Sequence, residues 1–167
     1  VNVEKYWPEH SIDKEIHQSK QILSPSDFGF HNSIKKQNGI ISFIDFDYFG
    51  WDDPVKLTAD FIWHPAMKLD NSMKIEWKKS MINIFSNDIE FKDRLNAALP
   101  FYGLRWVMIV LNEFLPGYSD RRIKAAKSNT NILELQKIQL NKAKQILDTG
   151  LATKTTKLTL PYATTLC

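Results

Sequence analysis

An α+β fold, mostly helical and carrying one small β-hairpin, is the architecture that this sequence of 167 residues predicts. Three observations point there. An Asn38-Gly39 pair lies between two short strand-like runs, and six stretches with helical spacing or helix-boundary residues surround it. No internal repeat or Gly/Ser linker divides the chain, so residues 1–152 read as one domain and the Thr-rich 153–167 as a loose tail.

Each element has its own local reason. Pro8 precedes Glu9 to Gln21, where Ile12, Ile16 and Ile22 form an apolar edge, and a helix is expected there. Ser33 to Lys36 and Ile40 to Ile44 are strand-like, and Gln37-Asn38-Gly39 suits a tight turn with positive φ. Asp53-Pro54 is an N-cap followed by proline at the first turn, so a helix begins there, runs to about Trp63 and stops before Pro65. Leu57, Phe61 and Ile62 would face its core. Ser72 to Phe85 reads as the next helix, and Ser86-Asn87-Asp88 caps another from Ile89 to Leu99. Pro100 opens an apolar helix from Phe101 to Leu115, closed by Pro116-Gly117. The last helix starts at Asn129 or Thr130 and reaches Asp148. Its Leu133, Leu140 and Leu147 recur every seven residues, over too few heptads for a coiled coil, so packing on the domain is expected.

Composition sets bounds on this reading. At 43% hydrophobic and 25% charged residues, the chain can bury a real core. Its most apolar run, Trp106 to Leu111, meets Asn112 and Glu113 at once, which describes a core helix and not a membrane span. The single cysteine, Cys167, cannot form an internal disulfide and fits a reducing cytoplasm. Residues 1–120 hold 13 Lys and Arg against 17 Asp and Glu, whereas residues 121–167 hold 9 against 2. The basic lysines alternate with apolar positions and read as a solvated helix face, so nucleic acid is not the expected partner.

The chemistry-bearing residues lie on both sides of the hairpin. Ser24-Pro25-Ser26-Asp27-Phe28-Gly29-Phe30-His31-Asn32 places an Asn five positions after an Asp, and Ile44-Asp45-Phe46-Asp47 closes the second strand with carboxylates. Phosphoryl transfer needs one carboxylate to orient and deprotonate a hydroxyl, and hard oxygen ligands to hold Mg²⁺ against nucleotide phosphates. Asp27 can supply the first, and Asn32 with Asp45 the second. A hairpin at 33–44 would return Asp45 to the Asn32 end. Asp27-Phe28-Gly29 also spells the kinase metal-binding tripeptide, but no His-Arg-Asp run or Asp-plus-five-Asn pair precedes it, so Asp27 fits the catalytic position and Asp45 the metal position.

In these residues the chain resembles the aminoglycoside phosphotransferase and choline kinase-like enzymes. That family carries a His-Gly-Asp-x-x-x-x-Asn loop, an Ile-Asp-Phe/Trp-(Asp/Glu) strand end and a Gly-x-x-Asp-Pro segment leading into a helix. Asp27 and Asn32 match the first, Asp45 and Asp47 the second, and Gly50-Trp51-Asp52-Asp53-Pro54 the third. The match is sharp over about residues 20–65 and general elsewhere. It implies a protein-kinase-like C-terminal lobe whose hairpin bears the catalytic and metal-binding loops, with Mg²⁺ and ATP or GTP as cofactors and a small hydroxyl-bearing molecule, such as an aminoglycoside-like compound, as acceptor. Pro25 and Ser26 stand where the family has His and Gly, and no nucleotide-covering loop or phosphate-pairing Lys precedes Asp27. The resemblance therefore implies a missing N-terminal lobe, whose absence would expose apolar surface and favour a homodimer.

Other residues have competing readings. Asp45, Asp47, Asp52, Asp53 and Asp60 could attract a cationic acceptor, although Asp53 and Asp60 suit helix capping or bracing equally. His31 is an accessory candidate that could instead pack or bond to backbone, and His64 reads as a helix-end histidine. His10 and His17 lack partners at zinc spacing. Trp63, Trp77 and Trp106 read as core, and Trp51 as a wall of the substrate site. Two other function classes fit the same motifs: a catalytically inactive kinase-like binding module, and a Mg²⁺-dependent hydrolase.

Overall fold

From Gln21 to Asp52 the chain is extended or turning, and beyond Asp53 the described residues are dominated by helices. This computed structural model describes residues 15–116, 118 and 131–152. The expected α+β class is therefore observed. Two antiparallel pairs, β1 (Ile22–Ser24) with β4 (Gly50–Asp52) and β2 (Ser33–Lys35) with β3 (Ile41–Phe43), precede the four α-helices whose ranges lie among the described residues. These are α1 (Pro54–Trp63), α2 (Asn71–Ile84), α3 (Phe91–Leu111) and α4 (Ile132–Ala152).

The expected hairpin forms with Ser33 opposite Phe43 and Lys35 opposite Ile41. Gly39 turns it at φ +83°, a conformation open to glycine without steric cost. The β1–β4 pair was not legible in advance. Ser24 pairs with Gly50 and Ile22 with Asp52, so Trp51 lies on a strand and not in a loop. This pairing also corrects the helix expected from Glu9 to Gln21. Its described part, 15–21, holds only one 3₁₀ turn at Gln18–Lys20, because the chain must straighten before β1; the remainder lies outside the described residues.

α1 starts as its sequence requires. The Asp53 carboxylate accepts the Val55 N–H at 2.8 Å, and Pro54 occupies the first turn. Val55, Ala59, Phe61, Ile62 and Trp63 are all buried, so the helix is enclosed on nearly every side. α2 spans one residue earlier than expected at each end, because Asp70 takes the cap and accepts the Met73 N–H at 2.8 Å.

One further helical expectation needs correction. The helices expected on either side of Pro100 are one continuous helix, α3, with Pro100 inside it. Proline removes one hydrogen bond there, but Leu95, Ala98 and Leu99 before it and Val107 and Val110 after it are buried in the same core, so packing overrides the local break. Gly103 allows α3 to approach α1 closely: a Cβ there would meet the Trp63 ring at 3.2 Å. On α4, which packs on α3, the buried face is Gln139, Ala143 and Ile146, whereas Leu133 and Leu140 are exposed. The helix packs on the domain as expected, and of the three heptad leucines Leu147 lies against the core. The Thr-rich end lies outside the described residues. No helix among the described residues is long and apolar enough to cross a membrane.

The core occupies the junction of α1, α2, α3 and α4, with Phe91 and Leu95 at its centre. The hairpin side of the molecule is different. Ile34, Ile41, Phe46, Phe49 and Trp51 are all exposed, and the register sets Ile34 and Ile41 on opposite faces of the hairpin.

Candidate functional site

The loop after β1 is built by several independent anchors. Ser26 adopts φ +63°, a left-handed conformation that costs a non-glycine residue roughly 1–2 kcal/mol. Its hydroxyl accepts from Lys56 Nζ at 2.5 Å, and the same ammonium pairs with Asp52 at 2.7 Å. Next, Phe28 places its ring 4.6 Å from Phe43 and 5.8 Å from Phe61, fastening the loop between the hairpin and α1. Gly29 is buried where a Cβ would fall 2.5 Å from Met67 Sδ and 2.7 Å from the His31 ring, so no larger residue fits without displacing them. Asp27 is thereby held on a strained, fastened turn, with its side chain 42% exposed.

Asn32 is locked onto Asp27. Its Nδ2 donates to the Asp27 carbonyl at 3.0 Å and to Asp27 Oδ2 at 3.3 Å. With the amide nitrogen committed, the amide oxygen is left as a hard acceptor. The hairpin then returns the chain to this point, because Ile44 N–H donates to the Asn32 carbonyl at 2.9 Å and Asp45 follows. Asp45 itself has φ +64° and is exposed, and its carboxylate makes no ion pair among the described residues. Strained non-glycine residues cluster at functional sites, and two of the three here adjoin or are the acids singled out in the sequence. An amide oxygen and a free carboxylate fit the hard-oxygen preference of Mg²⁺.

Two histidines complete the cluster. His31 is not merely packed against backbone: its Nε2 lies 3.0 Å from Asp27 Oδ1. His64 ends α1 as expected, but it also stacks on His31 with ring centroids 3.9 Å apart and places Nε2 3.7 Å from the same carboxylate oxygen. Sequence reading missed this role, since 37 residues and an entire helix separate His64 from Asp27 and no spacing rule joins them. The only local signal was His64-Pro65 at a helix stop. Ligand atoms of Asp27, His31 and His64 lie within 4.8 Å of one another, a grouping that could hold a metal ion. The hydrogen bonding disfavours it. His64 Nδ1 accepts the Ala66 N–H at 3.1 Å, which leaves the ring proton of the neutral imidazole on Nε2, facing Asp27. These histidines are better described as orienting the carboxylate.

Burial and the neighbouring His31 lower the His64 pKa from 6.5 to about 4. The ring is therefore neutral in the folded protein at pH 7, and between about 4 and 6.5 the unfolded chain binds a proton that the folded chain does not. Stability is expected to fall as pH drops from 6.5 toward 4, and His64→Gln should flatten that slope in denaturation curves taken across this range. An unchanged slope would place His64 in solvent instead.

The remaining acids separate by structure. Asp53 caps α1 and bonds Arg94 at 3.3 Å, while the buried Asp60 accepts from Arg105 at 2.8 Å and from Trp106 Nε1 at 2.8 Å. Desolvation raises the Asp60 pKa against the lowering influence of Arg105. With Asp52 on Lys56, these three brace the fold, which leaves Asp27, Asp45 and Asp47 as the acids without a Lys or Arg partner near the site among the described residues. Trp51 is 63% exposed on β4, opposite Leu23. Trp63 is buried, and Trp77 and Trp106 are partly so, as core residues should be. His10 lies outside the described residues, and His17 caps a 3₁₀ turn. Comparison with protein-family models, with curated proteins and with solved structures finds no match for this chain.

Proposed function

We propose that this chain is the catalytic lobe of a small-molecule kinase, transferring the γ-phosphate of ATP or GTP to a hydroxyl of a small acceptor. The observation that carries the reading is the pairing of the Asn32 amide with Asp27, together with the hairpin that returns Asp45 beside Asn32. Asp27 orients the acceptor hydroxyl for in-line attack and accepts its proton, and His31 with His64 holds the carboxylate in position. Asn32 Oδ1 and Asp45, with Asp47 assisting, would hold Mg²⁺, which would supply positive charge against the nucleotide phosphates. Trp51 walls one side of the acceptor site. The loop and lysine that cover the nucleotide belong, in this reading, to a second lobe packed against exposed apolar residues of the hairpin and the segment after it, such as Ile41, Phe46 and Phe49. Without that lobe these residues would favour a homodimer.

Asp45→Asn tests the metal assignment. Loss of even an outer partner of a metal ligand lowers affinity by about 10–100-fold, so loss of a direct carboxylate should raise the Mg²⁺ needed for half-maximal phosphoryl transfer by at least about tenfold. An unchanged Mg²⁺ requirement would remove Asp45 from the site. Engagement of both Asp27 oxygens by His31 and Asn32 also suits an inactive, kinase-like binding module. Mg-ATP binding without transfer under any acceptor would favour that second reading.

A further inference from the structure

We propose that the cavity between the end of α1, the start of α2 and α4 is a binding site for a compact anionic molecule, its phosphate or carboxylate held by Lys68, Lys74 and Lys142. The cavity measures about 450 Å³, within the roughly 300–1,000 Å³ of small-molecule sites. Three lysines line it and no Asp or Glu does. Lys68, Lys74 and Lys142 make no ion pair among the described residues, so no carboxylate there competes for them.

The lining explains how such a molecule would be held. The Lys74 ammonium sits 5.2 Å from the centroid of the Trp63 ring, half-buried, where desolvation lowers its pKa and strengthens any charge opposite it. Asn71 and Gln145 add neutral amide donors at the wall. Trp63 and Ile146, both buried, form an apolar floor for the organic part of the molecule. His64 lines this cavity and also faces Asp27, so one residue joins the bound anion to the candidate catalytic carboxylate.

The test needs no nucleotide, so its failure is separable from failure of the kinase reading. Titration calorimetry of the chain uses inorganic phosphate, glycerol 3-phosphate and succinate as probes, with sodium chloride at equal ionic strength as reference. Saturable binding of at least one probe is expected, weakened at least about tenfold by Lys142→Gln and by Lys68→Gln and retained by Lys142→Arg. Preference for the phosphates or for succinate identifies which oxyanion the site takes, and either supports it. Lys68 is exposed and Lys142 partly so, and circular dichroism checks that the variants fold. No saturable binding of any probe, or affinity unchanged in both Gln variants, overturns the proposal.

Discussion

Asp27→Asn is expected to lower phosphoryl transfer by about 10²–10⁴-fold, the usual contribution of a positioned general base. The substitution is nearly isosteric. An amide oxygen can still accept from His31 Nε2, and the Asn32 bond to the Asp27 backbone carbonyl, 3.0 Å long, does not involve the side chain. Folding stability should therefore change by less than about 1 kcal/mol, as expected for altering one partly exposed hydrogen-bonded group. Transfer rates and denaturation midpoints measured side by side separate the two effects. Transfer that survives the substitution undiminished would remove Asp27 from the chemistry.

Trp63→Ala should be the most destabilising single change among the residues described, at about 3–5 kcal/mol. Its ring is 4% exposed and packs against Gly103, and its indole N–H donates to the Leu99 carbonyl at 2.8 Å, next to Pro100. Truncation leaves a cavity between α1 and α3 at the point where α3 already lacks one backbone hydrogen bond. Trp63→Phe should recover much of the loss, keeping ring packing while giving up a hydrogen bond of about 0.5–1.5 kcal/mol. Urea denaturation of both variants checks the order. A loss below about 1 kcal/mol for the alanine variant would mean that α1 and α3 are held together elsewhere.

Local chemistry explains which parts of this fold were legible in the sequence. The Asn38-Gly39 turn and the Asp53-Pro54 helix start depend on residues adjacent in sequence, and both formed where expected. What failed depended on partners far along the chain. Pro100 reads as a helix start until the buried residues on both sides of it are known. Strand β1 is three residues long, too short to signal itself without Gly50–Asp52 beside it. The candidate site divides in the same way. The Asp27-to-Asn32 spacing foretold a contact within one loop, whereas His64 reaches Asp27 only because α1 ends against that loop.

The β1–β4 pairing has a geometric result for the acids it encloses. Departure at Ser24 and return at Gly50 share one ladder rung, so the intervening segment works like a bracket bolted at both feet. Eighteen residues separate Asp27 from Asp45, yet their mutual reach is governed by widths of paired strands, about 4.8 Å each, and not by contour length. Residues added at the Gln37–Gly39 tip would lengthen the bracket outward while leaving the gauge between its feet unchanged.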